Sequence, residues 1–210
     1  MLINDDLRFL FVHVQKTGGT SISRFLKEKV AGTRDYLRPH DPYLLAARDH
    51  GAGHRGYFKA AFVRNPFDRL VSWYASITSK ARLLSEEEKL QNPDYNRVQQ
   101  HVLAHAPTFG DFVTRCQDAT DRSGWKPFLY NQIDYLLDGN GAEAMDFVGR
   151  FEHLQRDFRN LCSCLGLDGA ELPHLNASTH RDYRDYYTPS TRRVVEERFA
   201  KDCLAFDYRF

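Results

Sequence analysis

Apolar residues follow two alternating patterns along this chain, short continuous runs and longer stretches with helical spacing. The short runs, typical of buried strands, cover residues 7–14, 57–63 and 146–149. After each run, apolar residues recur every three or four positions, starting near Gly19, Pro66 and Leu154. Repeated strand, loop and helix units are typical of α/β folds. The pattern therefore predicts a central parallel sheet with helices on its faces.

Helix boundaries and loops follow from the remaining residues. Gly32 and Gly166 stand where a helix ends, and Thr188 followed by proline opens a final helix. A short helix is expected over residues 109–116. Residues 33–56 read as irregular, and residues 83–105 as a partly helical lid or insertion. At 210 residues, the chain is expected to form one domain, 1–210.

Composition and charge narrow the possible partners. A formal net charge of +1 gives no global attraction to nucleic acid or to a membrane surface, so an anion site would have to be local. The spacing of the four cysteines fits no zinc pattern, and no carboxylate cluster suggests a metal site. The longest apolar run is far shorter than the roughly 20 residues of a membrane span. Taken as a full-length chain, the protein is expected to be soluble and cytoplasmic, without a metal.

The junction after the first predicted strand has the residue types of an anion cradle. Two glycines let the backbone approach an anion, and the helix start supplies N–H donors and the positive end of its dipole. Lysine and hydroxyl side chains add charge and donors. These residues are Lys16, Thr17, Gly18, Gly19, Thr20 and Ser21. Because the lysine precedes the glycines, the order is not that of a Walker A loop.

The second strand–helix junction repeats this arrangement. Arg64 ends an apolar strand, where α/β folds place ligand-binding groups, and its guanidinium can grip a phosphate with two N–H groups. Pro66 suits a helix start, and Ser72 follows one to two turns later. Arg69 suits either a ligand or a salt bridge. Two anion sites on neighbouring units fit a nucleotide with phosphates at two separate positions.

These motifs resemble those of sulfotransferases that use 3'-phosphoadenosine-5'-phosphosulfate (PAPS), in particular the Golgi carbohydrate group and its bacterial relatives. Residues 11–21 resemble the family's 5'-phosphosulfate loop, and residues 62–72 its 3'-phosphate element. Later blocks at 131–136 and 148–154, and the aromatic C-terminus, also resemble the family, so the likeness covers nearly the whole chain. Gln15 and Asn65 depart from it, where proline and aspartate are common.

The resemblance implies a P-loop-like, three-layer α/β fold and transfer of a sulfuryl group from PAPS to a hydroxyl, with PAP as product. Residues 16–21 would hold the phosphosulfate, and Arg64 and Ser72 the 3'-phosphate. Lys16 would neutralise the leaving oxygen. His54 is the expected general base, since it resembles a Gly-His element before the same strand in related enzymes, with His50 and His40 as substitutes. The acceptor would be a hydroxyl-bearing molecule, a glycan by resemblance alone.

Two other functions fit parts of the sequence. A non-catalytic module that binds PAP or a glycan would keep the anion sites but would not need Lys16 and the candidate bases. A P-loop kinase-like enzyme would need a lysine after the glycines and ligands for magnesium. Nucleic-acid binding is not expected, because no basic stripe or known motif is present.

Overall fold

The computed structural model describes residues 1–49, 53–81, 85, 97–121, 124–167, 169–172 and 180–210. The chain divides into two compact units. The first comprises Met1–Arg64 and Gln132–Ala177, and the second comprises Asn65–Asn131 and Ser178–Phe210. Each unit is described by itself. The expectation of one domain over 1–210 stays a prediction.

A five-stranded mixed sheet forms the centre of the first unit. Its strands are β1 (Leu2–Asn4), β2 (Phe9–Val12), β3 (Thr33–Asp35), β4 (Phe58–Val63) and β5 (Phe147–Arg150), in the spatial order β3-β1-β2-β4-β5. Strand β4 pairs in parallel with β2, Phe9 opposite Phe58, and with β5, Val63 opposite Arg150. Strand β1 pairs antiparallel with β2 and with β3. The β2, β4 and β5 strands are therefore the predicted parallel core, and β1 and β3 extend it at one edge.

Two helices pack against one face of this sheet. They are α1 (Gly19–Lys29), which follows β2, and α6 (Leu154–Cys164), which follows β5. Ile22 and Leu26 of α1 and Phe158 of α6 are fully buried with Phe11 and Phe62 of the sheet. A short helix α2 (Tyr43–Ala47) and 3-10 turns at Gly53–Gly56, Ile133–Tyr135 and Phe151–His153 complete the unit.

The second unit is helical. Its helices are α3 (Pro66–Ala81), α4 (Arg97–His105), α5 (Phe109–Arg115), α7 (Pro189–Arg198) and α8 (Ala200–Phe206), with a 3-10 turn at Tyr183–Tyr186. Thr108 and Thr188 cap α5 and α7 through reciprocal side-chain and backbone hydrogen bonds. Phe67, Phe112 and Phe199 belong to a common core cluster.

The observed elements confirm the α/β class and a central sheet flanked by helices. Helix starts at Gly19, Pro66, Phe109, Leu154 and Pro189 match the sequence pattern within a residue. Strands β1 and β3 lie in segments for which no strand was predicted. Each has only three residues, too few for a period-two pattern to stand out. Of residues 83–105, the structure describes only Ser85 and the segment from Arg97, which is helix α4.

All four cysteines are free thiols. None of the helices in the described part of the chain has the length and hydropathy needed to cross a bilayer. The cytoplasmic location stays a prediction from the sequence.

Candidate functional site

In the loop between β2 and α1, the residues on either side of Thr17 both have a left-handed backbone conformation. Lys16 has φ 66°, and Gly18, at the N-cap of α1, has φ 80°. The left-handed region costs a residue with a side chain about 1–2 kcal/mol, so Lys16 is held in a strained conformation. The side chain of Thr17 is buried, and its hydroxyl donates to the Val14 carbonyl at 2.9 Å. This hydrogen bond fixes the turn, so any donation from Thr17 to an anion falls to its backbone N–H.

Helix α1 begins without a side-chain cap and without an acidic residue in its first turn. The first N–H groups of a helix have no carbonyl partner within it, and the positive end of the dipole lies there. Ser21 and Ile22 are the first residues to donate within the helix, both to the Gly18 carbonyl. Lys27 and Lys29 occupy the last turn, where cations suit the dipole. The helix start is therefore a fitting cradle for an anionic group.

The two loop glycines are required by close neighbours. A Cβ at Gly19 would overlap the His13 imidazole, and a Cβ at Gly18 would come within 2.9 Å of the Leu154 side chain. The chain therefore has no room for a side chain at Gly19, and at Gly18 the φ of 80° adds strain for any other residue. Both glycines lie in the segment assigned to the phosphosulfate.

The His13 ring lies beneath the start of α1 and beside His40. Their ring centroids are 4.4 Å apart at 65°, and His40 Nδ1 lies 3.1 Å from the His13 carbonyl oxygen. Burial, and secondarily the neighbouring His40, lowers the pKa of His13 to about 3. His13 is therefore neutral near pH 7 and packs beneath the loop.

Arg64 is buried at the end of β4 and holds the loop in place. Its Nη1 donates to the Lys16 carbonyl at 3.2 Å, and its guanidinium carbon lies 3.9 Å from the centre of the Phe151 ring. The buried Gln132 side chain accepts from Arg64 N at 2.8 Å and donates to Arg64 O at 2.7 Å. The structure thus brings together Arg64 and the Lys16 loop, two anion-binding elements that the sequence predicted separately.

His54 is only 2% exposed, although the sequence assigned it as the base. Its Nε2 lies 3.0 Å from the Ala46 carbonyl oxygen, so Nε2 carries the proton and the lone pair is on Nδ1. Tyr36 and Tyr57 contact its ring edge-on. Within the described chain, Nδ1 has no hydrogen-bond partner and no access to solvent. His54 Nδ1 is therefore out of reach of an acceptor in this conformation.

The remaining residues named from the sequence are Ser72, Arg69 and His50. Ser72 is buried on α3 in the second unit. Arg69 is also buried there, with Nη1 on the Tyr130 carbonyl and its guanidinium over the Trp73 ring, which accounts for it structurally. His50 lies outside the described residues. In the described part of the chain, no group of three or more histidine, cysteine or acidic side chains is placed to hold a metal.

Gln132 and Phe151 hold Arg64 in the candidate site, although the sequence indicated no role for either residue. Both lie in sequence blocks that resemble the family, but no chemistry was attached to them. A buried glutamine that bonds both backbone groups of one residue has no local sequence signature. The position of Phe151, directly after β5, was the available signal, because ligand-binding residues of α/β folds collect at strand ends.

The chain matches a known protein family over nearly its whole length. Residues 1–209 match the model of the Sulfotransferase family. A sulfotransferase from Alicyclobacillus acidocaldarius is similar in structure, with 17% sequence identity over 97% of this chain and 96% of that chain, and a TM-score of 0.40. No curated protein matches the sequence significantly.

Replacing Gly19 by alanine should disturb the loop. The added Cβ would overlap His13, so the ring or the helix start must move. We expect Gly19→Ala to lower the thermal midpoint by several degrees, corresponding to about 1–3 kcal/mol of overpacking. Gly139→Ala is the control, since a Cβ there meets no atom within 4 Å. Equal midpoints for the two variants would contradict the close approach.

Replacing Gln132 by alanine should destabilise the fold more than a similar change at a less buried glutamine. The variant leaves the Arg64 N–H and carbonyl without these partners, at about 2–4 kcal/mol for two buried groups. Gln155 bonds both backbone groups of Leu172 in the same way but is partly exposed. Urea denaturation should show a clearly smaller loss for Gln155→Ala. The reverse order would refute the role given to Gln132.

The low pKa of His13 predicts a loss of stability in acid. The folded value is about 3 and the unfolded value 6.5, so the unfolded chain alone takes the proton as pH falls from 6.5 towards 3. This contribution is complete above pH 6.5 and decreases by about 2 kcal/mol between pH 7 and pH 5. Denaturation at both pH values should show a smaller decrease for His13→Asn. An unchanged pH dependence would show that His13 titrates normally.

Proposed function

Because this chain belongs to the sulfotransferase family, whose enzymes transfer sulfuryl groups, we propose that its donor is PAPS and that the β2–α1 loop holds the phosphosulfate. The observation that supports this most is the uncapped start of α1, which lies beside Lys16 and is fixed to Arg64 through the Lys16 carbonyl. Both glycines that allow a ligand to approach the backbone lie in this loop.

Each loop residue has a proposed part in donor binding. Backbone N–H groups of Thr17, Gly18, Gly19 and Thr20 and the hydroxyls of Thr20 and Ser21 donate to the phosphosulfate oxygens. The Arg64 guanidinium and the Ser72 hydroxyl bind the 3'-phosphate, as the family resemblance implies. Thr20 is exposed, while Ser21 and Ser72 are buried.

The proposed reaction is an in-line displacement at sulfur. The acceptor oxygen attacks the sulfur atom while the bond to the phosphate oxygen of PAP breaks, and Lys16 neutralises the charge that develops on that oxygen. Holding Lys16 in a left-handed conformation fixes where its side chain leaves the backbone. The sulfuryl group has less charge than a phosphoryl group, so the proposal includes no metal.

A base is needed to take the proton of the acceptor hydroxyl, and two described histidines of the first unit are candidates. His54 is the candidate named by the sequence, and its lone pair lies on the buried Nδ1. His40 is half-buried, next to the His13 carbonyl at the base of the loop. A carbohydrate hydroxyl is the proposed acceptor, on the strength of the resemblance to carbohydrate sulfotransferases.

Calorimetric titration with PAP tests the donor assignment. We expect the wild-type protein to bind PAP, and Lys16→Ala and Arg64→Lys to raise Kd at least about ten-fold, since charged hydrogen bonds contribute about 1.5–3 kcal/mol. Arg64→Lys keeps the charge but removes the fork that binds a phosphate with two N–H groups.

Lys29→Ala serves as the matched control, because Lys29 is an exposed lysine in the last turn of the same helix. Its Kd should equal that of the wild type. Binding of ATP or GTP in place of PAP would overturn the donor assignment and favour a kinase-like enzyme.

A further inference from the structure

The end of β5 places an aromatic ring beside Arg64, and the register of the strands explains why. Val63 pairs with Arg150 in the parallel β4–β5 ladder. The next residues along each strand, Arg64 and Phe151, therefore leave the sheet next to each other, at the edge where α/β folds collect ligand-binding groups. The Asp157 side chain accepts from Arg150 N at 2.8 Å, which fixes the end of β5 just before the ring.

The Phe151 ring packs next to both elements that are assigned to the nucleotide. Its centre is 3.9 Å from the Arg64 guanidinium carbon, close enough for a cation–π attraction. On the side of the β2–α1 loop, a Cβ at Gly18 would come within 3.4 Å of the same ring. The ring is half-buried. Phe151 is therefore held against the protein at a point where the Arg64 side chain and the loop meet.

Two contacts together define the orientation of the Arg64 guanidinium. The N–H groups of a guanidinium lie in its plane, so the bond from Nη1 to the Lys16 carbonyl at 3.2 Å fixes a direction within that plane. The Phe151 ring lies under the guanidinium carbon and covers one face. An aromatic ring attracts a cation through its π-electrons, without accepting the in-plane N–H donors and without an opposite charge. The contact therefore restrains Arg64 without neutralising it.

The orientation of this guanidinium matters for binding a phosphate. A guanidinium binds a phosphate with two parallel N–H groups only when its plane faces the phosphate correctly. A long side chain that has to be ordered when the ligand arrives loses affinity, whereas one that is already held in place does not. Since Arg64 is the residue assigned to the 3'-phosphate, the gain from holding it applies to that end of the nucleotide.

We propose that Phe151 is a positioning residue which, through Arg64, makes the donor site select nucleotides that have a 3'-phosphate. This inference rests on the proposed function, because it needs PAPS and PAP as ligands with Arg64 on their 3'-phosphate. The ring orients the guanidinium, and the guanidinium binds the phosphate, so Phe151 has no part in the chemical step. Adenosine 3',5'-bisphosphates are the ligand class that gains, relative to adenosine 5'-phosphates.

Calorimetric titration with PAP and with adenosine 5'-monophosphate (AMP), which lacks only the 3'-phosphate, tests this selectivity. Kd for AMP is taken from titration of PAP into AMP-loaded protein. We expect Phe151→Leu, which removes the ring but keeps an apolar side chain, to raise Kd for PAP about three- to ten-fold and Kd for AMP less than about two-fold. Phe151→Tyr keeps the ring and should bind PAP within about two-fold of the wild type. An unchanged Kd for PAP in Phe151→Leu, or equal losses for PAP and AMP, would overturn the inference.

Phe147→Leu is the matched control, because it is the same substitution at the first residue of the same strand. The Phe147 ring packs against Phe62 in the core of the first unit. Whatever its effect on the thermal midpoint, the ratio of Kd for AMP to Kd for PAP should equal that of the wild type. A ratio that falls as much as in Phe151→Leu would show that loss of stability alone lowers the selectivity.

A double-mutant cycle tests whether Phe151 acts through Arg64. Arg64→Met removes the guanidinium but keeps a long side chain, so adding Phe151→Leu to it should raise Kd for PAP by less than about two-fold. If Phe151→Leu raises Kd by the same factor in both backgrounds, Phe151 acts independently of Arg64 and the inference is wrong. Failure of the wild type to bind PAP would instead refute the proposed function, and this inference with it.

Discussion

The attachment of Arg64 to three different segments organises the first unit. Gln132 bonds the Arg64 backbone, Phe151 lies under its guanidinium, and the Lys16 carbonyl accepts from Nη1. A buried guanidinium needs such partners, because an isolated charge in a protein interior costs far more than a hydrogen bond returns. The residue predicted to bind a phosphate therefore also fixes the loop predicted to bind the other end of the same nucleotide. Strain at Lys16 persists because these contacts determine its conformation.

The longer strands and helices of the first unit can be predicted from the sequence, because their patterns of apolar residues are long and regular. Strand β4 has six residues and α1 has eleven, enough for apolar runs and helical spacing to be distinct. Strands β1 and β3 could not be predicted, because each has only three residues and β3 is defined by its pairing with β1, which is distant along the chain. Asn4 shows this dependence, as its side chain reaches the Ala31 carbonyl and the Thr33 hydroxyl.

At the candidate site, the sequence identifies residue types and the fold decides their partners. The phosphate-loop segment could be identified because lysine, glycine and hydroxyl residues follow a strand directly. The burial of His54 and the contact of His40 with the His13 carbonyl depend on contacts between distant parts of the chain, which no local pattern encodes. The Asn65 departure from the family has a structural reason within the second unit. Its Nδ2 donates to the Arg209 carbonyl at 2.9 Å, a bond that an aspartate could not make.

Neutral histidine is central to the choice of base. His13 and His40 lie edge to face, so two positive charges there would repel each other, and burial keeps His13 uncharged. A neutral His13 adds no positive charge beside His40, one of the two candidate bases. The same pair adjoins the proposed donor loop, since His13 lies against Gly19 and both rings line a pocket beside the start of α1. The packing of α1 against His13 therefore also sets the position of His40, the candidate base next to the proposed donor loop.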